Sequence, residues 1–127
     1  MIVVDSSALI AIVLKEAQGD KCIDALSQAS SVVISAVVLA EVSVVASCRG
    51  FADDLNILIG RFGFEVIPAN HKTAEQVTFA YMTWGKGRHR AALNFVDCFS
   101  YALAKNRDCP LLFVGNDFSQ TDIRSVL

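Results

Sequence analysis

Several classes of functional site are excluded by what this sequence lacks. Its four cysteines form no C-x-x-C pair, and neither of its two histidines stands at a zinc-like spacing from them. The phosphate-binding glycine signatures G-x-x-x-x-G-K-[ST] and G-x-G-x-x-G are absent, which argues against nucleotide binding. A zinc site and a disulfide framework are not expected either. We predict reduced, buried thiols, as is usual in cytosolic proteins, for Cys22, Cys48, Cys98 and Cys109.

Long apolar runs and an excess of positive charge are also lacking. No apolar run reaches the ~18 residues of a membrane span, because Glu41 interrupts the longest one, residues 31–48. The N-terminus has no basic segment of the kind found in signal peptides, and Asp5 falls within it. We therefore expect a cytoplasmic protein with no membrane partner. The net charge of -2 gives no overall attraction to nucleic acid, so any such binding requires a local patch.

The remaining composition is that of one folded domain spanning residues 1–127. Hydrophobic residues make up 54% of the chain and charged residues only 19%, which argues against disorder. The predicted strands are residues 2–4, 31–35, 64–68 and 110–114. The predicted helices are residues 7–15, 20–29, 36–50, 51–62, 71–84 and 92–106, and a turn with a short helix follows residue 114. The helix over residues 36–50 is expected to be buried on most sides.

Strands separated by helical segments imply crossover connections between parallel strands. We therefore predict a three-layer α/β/α fold with a mainly parallel central sheet. In such sheets, ligands bind beyond the carboxyl ends of the strands, near a topological switch point. Asp5 stands at the end of the first predicted strand, which places it at that edge.

Four isolated acids are the most informative residues of the chain. Asp5 is the only charged residue among the first fourteen, and it follows an apolar strand directly. Glu41 is the only charge in residues 25–48, and Asp97 is the only one in residues 91–104. Asp117 follows the last predicted strand. Burying a carboxylate without a partner is costly, so their recurrence calls for a shared explanation.

Each acid also has a purely structural interpretation. Asp5 is a suitable cap for the helix that follows it, and Glu41 has an arginine such as Arg49 or Arg61 as a candidate ion-pair partner. Asp117 begins the sequence D-x-x-Q, which matches a capping box. Asp97 has no cationic residue three or four positions away on its helix, which weakens an ion-pair interpretation.

Taken together, the four acids favour a metal site. Carboxylates gathered at one sheet edge repel one another and raise one another's pKa. A divalent cation removes that penalty, and oxygen ligands without histidine or cysteine select Mg²⁺, with Mn²⁺ as a substitute. Ser6 and Ser7 are candidates to supply a supporting hydroxyl.

The predicted helix 92–106 directs side chains toward this site. Asn94, Asp97 and Tyr101 fall on one of its faces, so an amide and a carboxylate would point at the metal. The other face, with Phe95, Phe99 and Ala102, is expected to pack into the core.

A local basic patch offers a route for a phosphate substrate. The segment "WGKGRHR" carries Lys86, Arg88, His89 and Arg90 within five positions, and Tyr81 and Trp84 stand nearby for base stacking. The plain alternative is a solvated basic loop. Beside the predicted acidic site, we interpret it as a clamp for single-stranded or looped RNA.

At this point the chain resembles a known family. The blocks "VVDSSALIAI", "ISAVVLAEVSVV", "GKGRHRAALNFVDCFSYALAK" and "LLFVGNDFSQTDI" are similar to those of PIN-domain ribonucleases, in particular the VapC toxins of bacterial toxin–antitoxin modules. The third and fourth blocks are highly specific, and the blocks together cover nearly the whole chain. The resemblance implies a parallel α/β fold and an Mg²⁺- or Mn²⁺-dependent endoribonuclease, whose metal-activated water attacks RNA.

The resemblance also assigns roles to residues and partners. The acids of the family correspond to Asp5, Glu41, Asp97 and Asp117, its hydroxyl to Ser6 or Ser7, and its polar helix residue to Asn94, with Asn116 as a further supporting residue. VapC toxins usually form homodimers, are neutralised by a cognate antitoxin whose tail covers the acidic site, and commonly cut structured RNAs such as tRNA.

The chain departs from the pattern of that family at three positions. Arg90 replaces a proline, Val96 replaces a glycine beside Asp97, and Val114 stands where a basic residue is frequent. A bulky Val96 near the metal would favour a second interpretation, a PIN scaffold that binds antitoxin or RNA without turnover. Because all four acids are intact, an enzyme is the preferred interpretation.

Overall fold

A computed structural model describes all of residues 1–127. Four strands form a single sheet in the order β3-β2-β1-β4: β1 (Ile2–Val4), β2 (Val32–Ser35), β3 (Glu65–Ile67) and β4 (Leu111–Leu112). All three neighbouring pairs are parallel, with Ile2 beside Val32 and Val3 beside Leu111. The predicted parallel sheet is confirmed.

Six helices and one turn of 3-10 helix, Phe118–Gln120, complete the chain: α1 (Ser6–Val13), α2 (Gly19–Gln28), α3 (Ala36–Arg49), α4 (Ala52–Phe62), α5 (His71–Trp84) and α6 (Asp97–Arg107). The first five agree with the predicted helices to within two residues at each end. Helix α3 shows why: the Ser35 hydroxyl accepts a hydrogen bond from the Val37 amide, and Gly50, at a φ of 84°, ends the helix. None of the helices combines the length and hydropathy that crossing a membrane requires.

Both faces of the sheet are covered because side chains along each strand alternate in direction. Val4 and Ile34 pack into a core formed with α1, α2, α3 and α4. Val3 and Val33, one position earlier in each strand, pack into a second core formed with α5 and α6. This is the predicted three-layer α/β/α arrangement.

Helix α6 is shorter than predicted, since it begins at Asp97 rather than at residue 92. The preceding residues form a closed loop: the Leu93 amide donates to the Trp84 carbonyl (3.1 Å), and the Lys86 amide donates to the Leu93 carbonyl (2.9 Å). The Leu93 side chain is fully buried. The amide and carbonyl of Leu93 are both used in these hydrogen bonds, so they are not available for an α6 that began at residue 92.

Two burial predictions are wrong for α3. Its buried residues form only one stripe, Val38, Val42 and Ala46, and Val44 is 63% exposed. Because the helix covers the sheet with one face and meets solvent with another, a valine-rich sequence does not make it buried on most sides. Cys48, near the end of this helix, is exposed, whereas the other three cysteines are buried; all four are free thiols.

The strand order sets the position of the site. The chain runs from β1 to β2 and β3 on one side, and returns with β4 on the other side of β1. The switch point therefore lies between the carboxyl ends of β1 and β4. Asp5 follows β1 directly, and residues 113–117 follow β4 at the same edge.

Candidate active site

Asp5 is held in place from three elements of the fold. It is only 4% exposed and caps α1, with its Oδ2 accepting hydrogen bonds from the Ser7 amide (3.1 Å) and hydroxyl (2.7 Å). Its Oδ1 accepts from the buried Ser100 hydroxyl on α6 (2.7 Å). The Ser7 hydroxyl accepts in turn from the Val114 amide after β4 (3.0 Å). The capping interpretation is therefore correct for Asp5. The same hydrogen-bond network also links Asp5 to α6 through Ser100, and to the segment after β4 through Ser7 and Val114.

Asn94 and Asp97 form a reciprocal pair at the start of α6. The Asp97 amide donates to the Asn94 side-chain oxygen (2.8 Å), and the Asn94 amide donates to Asp97 Oδ2 (3.0 Å). This is the geometry of a capping box, so Asn94 precedes the helix instead of standing on it as predicted. The pair fixes one oxygen of Asp97 and leaves Oδ1 without a hydrogen bond.

The predicted face of α6 is wrong for two aromatic residues. The Tyr101 hydroxyl donates to Asp122 (2.6 Å) and accepts from the Trp84 indole (2.9 Å), so its polar end bonds residues outside the four acids. Phe95, expected in the core, is 61% exposed because it belongs to the loop before the helix. The residue that α6 does direct at Asp5 is Ser100, one turn after Asp97. Sequence reasoning missed Ser100, although its hydroxyl in a buried helix was a usable signal.

The four acids share one electrostatic neighbourhood. The pKa of Asp97 is raised to about 6, mainly by burial and against the opposing effect of the hydrogen bond from the Asn94 backbone. The carboxylates of Asp5, Asp117 and Glu41 each contribute to this rise. Burial also raises the pKa of Glu41, and the charge of Asp5 adds to that rise.

No basic side chain neutralises these acids. The ion pairs of the structure lie elsewhere, at His71–Glu75, Lys105–Asp122 and Arg124–Asp108. The arginine partner considered for Glu41 is therefore absent, and Asp97 lacks a cationic partner as predicted. Two carboxylates with raised pKa values, Asp97 and Glu41, beside two further acids and without a basic partner favour an external positive charge.

Asp117 and its neighbours make few contacts. Asp117 is exposed, and its side chain forms no capping hydrogen bond to the 3-10 turn, so the capping box predicted as its alternative is wrong. Asn116 is exposed, and its carbonyl accepts from the Ser119 hydroxyl (2.6 Å). Ser6 is half-buried without a side-chain hydrogen bond, so Ser7 is the serine that contacts Asp5.

The basic loop after α5 is built on its aromatic residues. The Tyr81 hydroxyl donates to the Lys86 carbonyl (3.2 Å), and Trp84 packs edge-on against His89 with ring centres 4.8 Å apart. His89 Nδ1 accepts from the Ala91 amide (3.0 Å). These aromatics stabilise the loop, and the stacking role predicted for them stays a prediction. The charged ends of Lys86, Arg88 and Arg90 remain unpaired.

The available donors fit a hard divalent cation. They are carboxylate oxygens, with no histidine or cysteine in the group. A carboxylate has about four lone-pair sites, and Asp5 uses three of them, so Oδ1 keeps one free. No three carboxylate, imidazole or thiol groups stand close enough together here to hold a metal ion. The acids are thus close enough for their charges to interact, but their oxygens are not already arranged around a metal position.

Comparison with known proteins identifies the family. The chain matches the PIN domain over residues 2–124. This chain is a PIN domain. It is 37% identical to ribonuclease VapC30 of Mycobacterium tuberculosis over 128 residues, covering 98% of this chain and 97% of that protein. It is 41% identical to ribonuclease VapC36 of the same organism over 125 residues, covering 95% and 90%. The PIN domain is therefore of the VapC type.

Solved structures agree on the fold of this PIN domain. M. tuberculosis VapC20, described as a toxin that cleaves the sarcin–ricin loop, superposes with a TM-score of 0.75 at 19% identity, covering 97% of this chain and 96% of that one. A toxin–antitoxin complex from Klebsiella pneumoniae superposes with a TM-score of 0.74 at 16% identity, covering 96% and 93%. At these identities the likeness concerns the fold alone.

Proposed function

We propose that this PIN domain is the toxin of a toxin–antitoxin module, an endoribonuclease whose acids Asp5, Glu41, Asp97 and Asp117 hold Mg²⁺, or Mn²⁺ in its place. The observation that carries the proposal is that Asp5, Asp117 and Glu41 each raise the pKa of Asp97, while no basic side chain forms an ion pair with any of the four acids. Ribonuclease chemistry is supported by the VapC relatives, which match along nearly their whole length.

Each acid has a distinct part in the proposed site. Asp5 offers the free lone pair of Oδ1, and Asp97 offers Oδ1 while Asn94 holds its Oδ2. Glu41 and Asp117 form no side-chain hydrogen bond, so they can turn toward a cation or accept a proton from the attacking water without breaking one. A bound divalent cation would lower the pKa of a water and withdraw charge from the phosphodiester. Attack of the water oxygen at phosphorus forms a new P–O bond and breaks the P–O bond to one ribose oxygen, which leaves as a hydroxyl after taking up a proton.

Substitution of the two unrestrained acids tests the proposal. We expect Glu41→Gln and Asp117→Asn each to lose at least about tenfold in the rate of Mg²⁺-dependent RNA cleavage. Asp24→Asn, an exposed acid on α2, is the matched control and should cut at the wild-type rate. Wild-type rates in both site variants would contradict the assignment.

Cation binding has its own measurement. Millimolar Mg²⁺ or Mn²⁺ should raise the melting temperature of the wild type by linkage, and less so for Asp97→Asn. No shift together with no cleavage would favour the inactive scaffold. The structure gives that alternative no specific support, since the half-buried Val96 packs against the core of α1 to α4.

We further infer a cognate antitoxin, a homodimeric state and a cytoplasmic location. The Klebsiella complex and the VapC relatives support an antitoxin partner for this chain. A molar mass in solution of twice 13.7 kDa would establish the dimer. The gene immediately upstream should encode the antitoxin, and mapping of RNA 5′ ends after induction would name the substrate, with tRNA as the first class to examine.

A further inference from the structure

We propose that a single strand of the substrate RNA lies in a groove between α5 and α6, where Phe95 stacks a base and Lys72 and Arg107 bind the backbone beyond the cut. The proposal rests on the function given above, because the strand is that of the cleaved RNA. We call this surface the α5 groove; it joins the two cavities that flank Phe95 and Phe99.

The two cavities meet at a pair of aromatic rings. A cavity of about 200 Å³ lies where α5 and α6 meet the ends of β2 and β3, and Ser35, Ile67 and Phe99 form part of its wall. A second cavity of about 330 Å³ lies beside α5 and includes Tyr81 and Phe95. The Phe95 and Phe99 rings are 5.2 Å apart and nearly perpendicular, so a ring that lines one cavity lies against a ring that lines the other.

Phe95 is the aromatic side chain best placed to stack on a base. It is 61% exposed and lies between Asn94 and Asp97, directly beside the acids. Tyr81 and Trp84 are only partly exposed: the Tyr81 hydroxyl donates to the Lys86 carbonyl of the basic loop, and the Trp84 indole donates to Tyr101 on α6. An apolar ring exposed beside a nuclease site suits unstacked bases, which bind aromatic faces with little regard to sequence.

Unpaired cations stand at both ends of the groove. Lys72 and Arg107 line the first cavity, and neither side chain forms an ion pair or hydrogen bond within the chain. Lys86, Arg88 and Arg90 follow the other end of α5. Cationic side chains at both ends of a groove, with aromatic rings between them, are typical of surfaces that bind single-stranded nucleic acid. In this chain the acids lie beside the aromatic rings, between the two groups of cations.

Lys72 and Arg107 are far enough from the acids to contact the RNA backbone a few nucleotides away from the cleaved bond. Arg107 ends α6 ten residues after Asp97, so the helix separates them by roughly 15 Å at 1.5 Å per residue. Between them, the Gln76 amide donates to Asn106 Oδ1 (3.0 Å). This pairing leaves an acceptor on Gln76 and donors on Asn106 that can meet the edge of an unpaired base.

Binding measured without cleavage tests the proposal. We would titrate fluorescein-labelled oligouridylate by anisotropy in EDTA, over a series of salt concentrations. Phe95→Ala should weaken binding about tenfold at every salt concentration, through lost stacking. Lys72→Ala/Arg107→Ala removes two phosphate contacts, so the slope of log K against log salt should fall by roughly 2 × 0.7, about 1.4.

Matched controls make comparable changes elsewhere. Ile57→Ala removes an apolar side chain that is 68% exposed on α4, in the layer on the opposite face of the sheet. Lys21→Ala/Arg61→Ala removes two exposed cations on α2 and α4, in the opposite layer. Both controls should bind the probe with wild-type affinity and slope.

The outcomes separate this proposal from the proposed function. An unchanged slope in Lys72→Ala/Arg107→Ala, in a wild type that cuts RNA with Mg²⁺, would overturn the groove and leave the ribonuclease standing. Loss of antitoxin binding alone in the groove variants would reassign the surface to protein recognition and likewise overturn it. A wild type that neither binds the probe nor cuts RNA would overturn both.

Discussion

Asp5 and Asp117 are aspartates at the same edge of one sheet, and the fold treats them in opposite ways. Asp5 is buried and receives three hydrogen bonds from residues on two helices. Asp117 is exposed, opens a single 3-10 turn and makes no capping bond. One side of the site is thus fixed before any ligand arrives, and the other is free to adapt to it. Because Asp5 is already held in position, we expect it to contribute more than Asp117 to the correct placement of the reacting groups.

Removal of the fixed charge should have the largest effect. Asparagine still caps a helix, so Asp5→Asn is expected to fold with a melting temperature close to that of the wild type. The lost carboxylate should lower Mg²⁺-dependent cleavage on the order of 100- to 1000-fold, a typical loss for a preorganised charge interaction. Rates from denaturing gels would measure this, and a larger loss in Asp117→Asn would refute the contrast between the two acids.

Removal of the support behind Asp5 should have a smaller effect. Ser100→Ala deletes the hydroxyl that orients Oδ1, and loss of such a supporting bond commonly costs about tenfold or more in metal affinity. Mn²⁺ affinity from calorimetry would measure this loss independently of catalysis. Ser27→Ala is the control, since its hydroxyl bonds only the Ile23 carbonyl of its own helix. Equal Mn²⁺ affinity in both variants would reduce Ser100 to a packing role.

Neutralising Asp97 should stabilise the metal-free protein. The side-chain amide introduced by Asp97→Asn would retain an oxygen to accept the Asn94 amide, while the substitution removes a charge that burial and three neighbouring acids disfavour. A gain of about 1 kcal/mol, allowing for solvent screening of a partly exposed group, corresponds to a rise in melting temperature of roughly 4 °C. Asp117→Asn, with its exposed and unbonded carboxylate, should change the melting temperature by less. Calorimetry in EDTA would compare them.

The pH dependence of stability should be similar in size to the effect of neutralising Asp97, since both come from the same charge. The pKa of Asp97 is about 6 in the folded protein and 3.8 ordinarily, so between these values the folded state holds more protons than the unfolded state. Its contribution to stability is therefore fully present below about pH 4 and is lost as the pH rises through 6. Urea unfolding should show about 1 kcal/mol of this loss, after screening, in the wild type relative to Asp97→Asn between about pH 4.5 and pH 7. If the unfolding free energies of the wild type and Asp97→Asn changed with pH in parallel, the raised pKa of Asp97 would be contradicted.

Much of the fold could be predicted because its determinants are local. Ser35 and Gly50 mark the ends of α3, and alternating burial marks the strands. The loop before α6 could not be predicted, since it depends on Leu93 pairing with the backbone beside Trp84. Helical periodicity continues across residues 92–96 and gives no sign of that pairing.

The candidate site likewise has a part that could be predicted from the sequence and a part that could not. The four acids could be located because each is a lone charge in an apolar segment or at a strand end. The distant hydrogen bonds that hold Asp5 and Ser7 could not, because Ser100 reaches Asp5, and Val114 reaches Ser7, only through the packing of α6 and of the turn after β4. The electrostatic grouping of the acids fits the expectation of a shared site, while their coordination of a metal stays a prediction.

The links from Asp5 to Ser100 and from Ser7 to Val114 have a consequence for the order of synthesis. They span 95 and 107 positions of a chain of 127 residues. Asp5 and Ser7 are therefore translated long before Ser100 and Val114. Before those residues are made, Asp5 has only the two hydrogen bonds from Ser7 available and lacks the one from Ser100. The full set of bonds that holds Asp5 can form only after most of the domain has been synthesised.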